Sequence, residues 1–134
     1  MKNKTIIIGG VAGGASTATR LRRLDEQREI IMLERGEYIS FANCGLPYYI
    51  GGVIQSRDAL IVETVEDMQA RFNIDVRIFS EAISIDKDNK VLTVKNLQTK
   101  ESYQESYDHL VISTGAFPVN PLFQVFTMRP TCLR

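Results

Sequence analysis

Residues 5–16 read Thr5-Ile6-Ile7-Ile8-Gly9-Gly10-Val11-Ala12-Gly13-Gly14-Ala15-Ser16, and this stretch decides the fold. Three isoleucines in a row suit a short strand buried on both faces. The glycines that follow mark a tight junction with a helix, which the pattern places from Ala15 to about Arg28, with Ala18, Leu21 and Leu24 on its apolar side and Arg20, Arg22 and Arg23 elsewhere. Ile30 to Leu33 is a second strand, closed by Glu34. Strand, helix, strand in this order predicts a parallel α/β sheet. Glycines between a strand and a helix let the backbone approach a pyrophosphate, and the helix N-terminus offers free N–H groups and a positive dipole end. Glu34 follows at about the spacing of a carboxylate that accepts hydrogen bonds from an adenosine ribose. The spacing departs from Gly-x-Gly-x-x-Gly: a frame starting at Gly9 puts Val11 at the second glycine, and one starting at Ile8 loses the first. Either frame leaves a merely structural turn as the competing reading.

Downstream the pattern changes. Gly45 to Ile50 is expected to form a short helix ended by Gly51-Gly52. Thr64-Val65-Glu66-Asp67 is a capping-box signature opening a helix to about Phe72, followed by a strand from Ile74 to Phe79. Ala82 to Ile85 alternates, Asp88-Asn89 turns and Val91 to Val94 resumes, which predicts a hairpin, and Gln98 to Ser106 adds a turn and a third antiparallel strand. His109 to Ser113 reads as one more buried strand, ending at Thr114-Gly115-Ala116, which makes His109, the only histidine, a structural residue. The predicted fold class is α/β, a Rossmann-like parallel sheet with an inserted antiparallel meander.

At 134 residues the chain is one domain or part of one. Sixteen basic and sixteen acidic side chains cancel, so no general attraction to nucleic acid or to an anionic membrane is expected. Lys2 and Lys4 before the isoleucines faintly resemble a signal peptide, but the interrupting glycines argue against one. No stretch is apolar for long enough to span a bilayer, and no His/Cys/Asp/Glu cluster has metal-ligand spacing. Two cysteines, Cys44 and Cys132, make no disulfide framework, which fits a reducing, cytoplasmic setting.

Cys44 stands in Ser40-Phe41-Ala42-Asn43-Cys44-Gly45-Leu46-Pro47, where a helix is expected to begin. A thiolate there is favoured by the dipole and can act as nucleophile or electron acceptor. The competing reading is a small buried core residue. Tyr48 and Tyr49 read as a packed aromatic pair.

Taken together, the runs GGVAGGAS, LERG, SFANCGLPYYIGG and YDHLVISTGA resemble the N-terminal part of the coenzyme A-disulfide reductases, in the single-cysteine branch of the FAD-dependent pyridine nucleotide-disulfide oxidoreductases. The resemblance covers residues 1–117, an incomplete FAD-binding domain, and leaves 118–134 as an atypical tail that contains Cys132. It implies FAD, with its pyrophosphate against Gly9, Gly10, Gly13 and Gly14, its adenosine ribose at Glu34 with Arg35 beside it, and further backbone contact at Thr114 and Gly115. It implies that Cys44 receives electrons originating from NAD(P)H and cycles through a mixed disulfide with coenzyme A, or meets its disulfide or persulfide. Ser16, Arg20, Arg23, Ser40 and Asn43 would then grip coenzyme A. Arg20 and Arg23 are i, i+3 on one helix face, although spacing alone favours a solvated basic face, and the resemblance puts Phe72 at a position where a related enzyme could use a basic residue. Members of this family continue into an NAD(P)H domain and a dimerisation domain, so the chain is expected to be inactive alone. Two other readings stay open. One is a fragment of a single-cysteine NADH oxidase, peroxidase or persulfide reductase, with Cys44 in a sulfenic acid cycle for the oxidase and peroxidase. The other is a nucleotide-binding module without turnover.

Overall fold

The computed structural model describes residues 3–117, so the tail 118–134 and Cys132 lie outside the described residues. Strand β1 (Lys4–Ile8) pairs in parallel with β2 (Glu29–Leu33) on one side and with β7 (His109–Ile112) on the other, and β3 (Asp75–Arg77) pairs in parallel with β2. The sheet order is therefore β3-β2-β1-β7. A second, antiparallel sheet holds β4 (Ser80–Asp86), β5 (Val91–Asn96) and β6 (Ser102–Ser106) in chain order. The predicted fold class stands.

Alternation along the buried strands builds three layers. Ile7, Ile30 and Met32 point to one face and join Ala15 and Ala18 of helix α1 (Ala12–Leu24) and Met68 of helix α3 (Val65–Phe72). Ile6, Ile31 and Leu33 point to the other face, against Leu92 and Val94 of the meander. Ile6 and Ile7 are fully buried on opposite faces, and each such side chain contributes about 1.5–3 kcal/mol. Between β2 and α3 lies the short helix α2 (Leu46–Ile50). No helix among the described residues is long and apolar enough to cross a membrane.

Local signals hold at the turns. Thr64 and Asp67 exchange the reciprocal hydrogen bonds of a capping box at the start of α3, and the Asp86 carboxylate accepts from the backbone N–H of Asp88 and Asn89 in the hairpin turn (3.1 and 3.0 Å). Three expectations change. Helix α1 runs from Ala12 to Leu24, not from Ala15 to Arg28, because the Ala15 N–H already donates to the Val11 carbonyl (2.9 Å) and Asp25 turns extended. Leu24 is 67% exposed. Nine residues at about 100° each carry it to the side opposite Ala15, so it leaves the apolar stripe. Strand β3 stops at Arg77, where Phe79, at φ +52°, redirects the chain into β4.

The last strand also differs. Strand β7 was expected to be buried, but His109 and Ile112 are exposed, because among the described residues β7 has a strand neighbour on one side only. His109 is thus not a core residue.

Charge ties the two sheets together. Glu105 of β6 accepts from Lys4 of β1 and from Arg77 of β3 (2.6 Å), and Arg77 also donates to Asp75 and to the Tyr103 hydroxyl. Burial pushes the Glu105 carboxyl up, but the hydrogen bonds from Lys4 and Arg77 and their charges outweigh it and hold it below its ordinary value of 4.5. A carboxyl depressed by folding stabilises fully above its unfolded value and loses that contribution as pH falls through the lower, folded value. We expect urea unfolding in acid to show a loss relative to pH 6 that is smaller in Glu105→Gln, by no more than the ~1 kcal/mol of a partly exposed pair. Equal losses in the two proteins would remove the network from the account.

Candidate functional site

The site lies beyond the C-terminal ends of β1, β2 and β7, where the chain order reverses about β1. A parallel sheet opens a crevice at such a switch point. Gly9 ends β1 at φ +100°, and its N–H donates to the Leu33 carbonyl (2.8 Å). A Cβ on Gly9 would stand 2.1 Å from the Ser113 carbonyl oxygen, and one on Gly14 would stand 1.7 Å from the Gly9 carbonyl oxygen. These are backbone atoms that cannot swing aside. The frame starting at Gly9 is therefore the one the fold uses, with Val11 at the middle position and Gly14 allowing helix against strand. A Cβ on Gly10 would stand 2.8 Å from Ile39 Cγ2, whereas one on Gly13 would meet only ordinary contact with Ser113 at 3.5 Å.

The turn feeds α1 through Val11, whose side chain makes no cap hydrogen bond, and no acidic residue occupies the first turn. The leading N–H groups of the helix thus lack intrahelical acceptors, and the helix carries no carboxylate of its own in that turn. Across the crevice Glu34 is half-buried, and its two oxygens accept from the N–H groups of Gly10 (2.8 Å) and Gly36 (2.7 Å). The cavity, about 320 Å³, is walled by Gly9, Glu34, Arg35, Glu81, Thr114 and Gly115. Arg35 reaches Glu81 at 3.8 Å, and Gly115 takes φ +69°. Ser80, Glu81 and Ala82 of the meander also line it. Sequence reading missed these three because no local motif marks them.

The cysteine segment joins the same site through its backbone. Ser40, at φ +51°, donates its N–H to the Gly10 carbonyl (2.9 Å), and Phe41 bridges Ile61. Cys44 lies in a 3-10 turn, Asn43–Gly45, that leads into α2, so the expected helix starts one residue later than the spacing suggested. Gly45 is buried there, with a Cβ position 2.5 Å from Leu60 Cδ2. Cys44 itself is exposed and, among the described residues, free, and its exposure removes the reading as a buried core residue. Tyr48 and Tyr49 are also not a packed pair. They are 59% and 37% exposed, since neighbouring positions on a helix point away from each other.

Ser16, Arg20 and Arg23 are all exposed on α1, and at about 100° per residue they share one narrow arc of its surface. Asn43 is exposed beside Cys44, and Ser40 is half-buried. Arg22 serves a different purpose from its neighbours: it donates to the carbonyls of Phe72 (2.6 Å) and Asn73 (2.7 Å), closing the end of α3. No group of three or more His, Cys, Asp and Glu side chains could hold a metal among the described residues.

Comparison with known proteins adds to this geometry. Residues 3–128 match the family model described as pyridine nucleotide-disulphide oxidoreductase. The chain is 46% identical over 114 residues to coenzyme A disulfide reductase of Staphylococcus epidermidis, covering 85% of this chain and 26% of that protein. It is similar to the crystal structure of reduced Bacillus anthracis CoADR-RHD, with 60% identity and a TM-score of 0.87 over 91% of this chain and 22% of that one. It is also similar to an NAD-dependent persulfide reductase from A. fulgidus, with 36% identity and a TM-score of 0.84 over 89% of this chain and 22% of that one. The chain spans about a quarter of the length of the curated relatives it matches.

Proposed function

The chain belongs to the pyridine nucleotide-disulphide oxidoreductase family, and from that premise we propose that it is the FAD-binding, active-cysteine lobe of an NAD(P)H-dependent, coenzyme A-disulfide reductase-like flavoprotein. The observation that carries this reading is the backbone bond from Ser40 to Gly10, which fastens an exposed Cys44 segment to a glycine turn shaped for a dinucleotide. The residues present suit FAD. Gly9 and Gly14 leave no room for a Cβ, the first turn of α1 has unclaimed N–H groups, and Glu34 keeps acceptor capacity beyond the two amides it holds. Gly9, Gly10, Gly13 and Gly14 would take the pyrophosphate, Glu34 and Arg35 the adenosine ribose, and Thr114 and Gly115 further contact.

The chemistry assigned to this chain is thiol–disulfide exchange. The Cys44 thiolate attacks one sulfur of coenzyme A disulfide, the S–S bond breaks, and one coenzyme A leaves as thiolate. Cys44 and the second coenzyme A then share a mixed disulfide, and two electrons and a proton return Cys44 to thiolate and release the second thiol. FAD held by the glycine turn and Glu34 would be the source of those electrons, with NAD(P)H as their origin. A single cysteine suffices because the substrate brings the other sulfur. Ser16, Arg20 and Arg23, with Ser40 and Asn43 nearer the sulfur, would hold the phosphates and pantetheine arm, the guanidinium groups matching phosphate oxygens in geometry and charge.

Flavin content tests the reading. The 134-residue chain, stripped of free ligand and titrated with FAD, should quench flavin fluorescence saturably at one FAD per chain. A folded chain that shows no saturable quenching would defeat the assignment of this lobe as an independent FAD site.

A further inference from the structure

We propose that Glu34 is a positioning residue for the cysteine segment, acting through the backbone of Gly10. Gly10 is the shared element. Its N–H donates to Glu34 Oε2 (2.8 Å), and its carbonyl accepts from the Ser40 N–H (2.9 Å). Ser40 sits at φ +51°, a left-handed conformation that a non-glycine residue holds only when its surroundings enforce it. The enforcement comes from both sides, since the Ser40 carbonyl accepts from Val62 N–H (3.1 Å). The close approach of Gly10 to Ile39, with a Cβ position 2.8 Å from Ile39 Cγ2, leaves this junction little freedom.

Glu34 has a firm base from which to act. Its N–H donates to Arg77 (2.9 Å) and its carbonyl accepts from Ser80 (2.9 Å), while Oε1 accepts from Gly36 N–H (2.7 Å). One carboxylate thus spans the glycine turn and the start of the segment that leads to Ser40 and Cys44. An ionised carboxylate has about four acceptor sites. Two are engaged here, so a diol can bind to the rest without releasing the brace. The cysteine segment is therefore set before any ligand arrives. The proposal rests on the functional reading only in making both ends matter to one reaction, and its test needs no flavin.

Amide hydrogen exchange in the ligand-free chain, resolved by NMR, makes the test. Glu34→Ala removes both acceptor oxygens, so neither the Gly10 nor the Gly36 N–H keeps its side-chain partner. The expected result is exchange faster by about tenfold or more at Gly10 and Ser40, with an upfield move of the Gly10 amide proton. Ile7 and Met32, in the sheet, should exchange as before. General loosening would instead speed the sheet amides as well. Unchanged exchange at Ser40 in folded Glu34→Ala overturns the proposal, as does an increase shared equally by Ile7 and Met32. Should that variant fail to fold, Glu34→Asp, one methylene shorter, is expected to speed exchange at Gly10 and Ser40 in the same way. If neither folds, the wild-type chain decides: a Gly10 amide that exchanges at the unstructured rate overturns the proposal, and a protected one supports it.

Discussion

Gly14→Ala is expected to cost the chain about 3–5 kcal/mol of stability and to abolish flavin binding, whereas Gly13→Ala, one residue earlier, is expected to raise stability by about 0.5–1 kcal/mol. The two glycines are neighbours in the same helical turn, and their environments differ. A Cβ at position 14 would lie 1.7 Å from the Gly9 carbonyl oxygen and 3.3 Å from Ile7 Cγ2. The first is main chain at the end of β1, so relief requires the whole helix to retreat from the sheet. That opens the packing of Ala15 and Ala18 on Ile7, and the cost exceeds the ~1–3 kcal/mol of ordinary overpacking. At position 13 the nearest atoms, Ser113 Cβ and Oγ, are 3.5 Å away, and the added methyl only narrows the unfolded ensemble. Thermal or urea unfolding of both variants checks the contrast. Equal effects from the two would show that the helix does not approach β1 as closely as described.

Cys44→Ser is expected to abolish covalent capture of coenzyme A. In a Cys132→Ser background, incubation with coenzyme A disulfide and no reductant should add one coenzyme A to the chain, mapped by mass spectrometry to the peptide containing Cys44. The serine variant should gain none. Serine cannot replace the thiolate in this exchange, because the reaction needs a sulfur nucleophile at neutral pH. The exposure of Cys44 makes the measurement possible on the ligand-free chain. Replacing Arg20 and Arg23 together by alanine should slow capture by about tenfold at low ionic strength and by less at high salt, as expected for exposed cations meeting phosphate. Capture that proceeds equally well without Cys44 would sink the thiol assignment. A dimedone adduct after peroxide, with no coenzyme A adduct after its disulfide, would move the chain to the sulfenic acid branch.

Much of this was legible in the residues because it depends on neighbours in sequence. The run of isoleucines, the glycine-rich junction, the Thr64–Asp67 cap and the Asp86 turn each answer a local question about dihedral angles or unpaired N–H groups. The candidate residues Glu34 and Cys44 stood out for the same reason, being marked by spacing and by flanking glycine and proline. The start of α1 and the exposure of Leu24 were less legible, since an apolar residue in a helical pattern does not announce which turn loses contact with the sheet.

The sequence by itself determined the order of strands and helices along the chain, the place of the glycine turn and the place of Cys44 just ahead of a short helix, because those follow from short-range sterics and hydrogen-bonding needs. Only the tertiary structure decided which glycines are obligatory. The atoms that forbid a side chain at Gly9 belong to Ser113, about a hundred residues away in the chain. It alone brought Glu34 onto the amides of Gly10 and Gly36, set Ser40 against Gly10, and joined Lys4, Arg77 and Glu105 across two sheets. Such contacts form where packed layers happen to place distant groups within hydrogen-bonding reach, and no pattern along the chain encodes that distance.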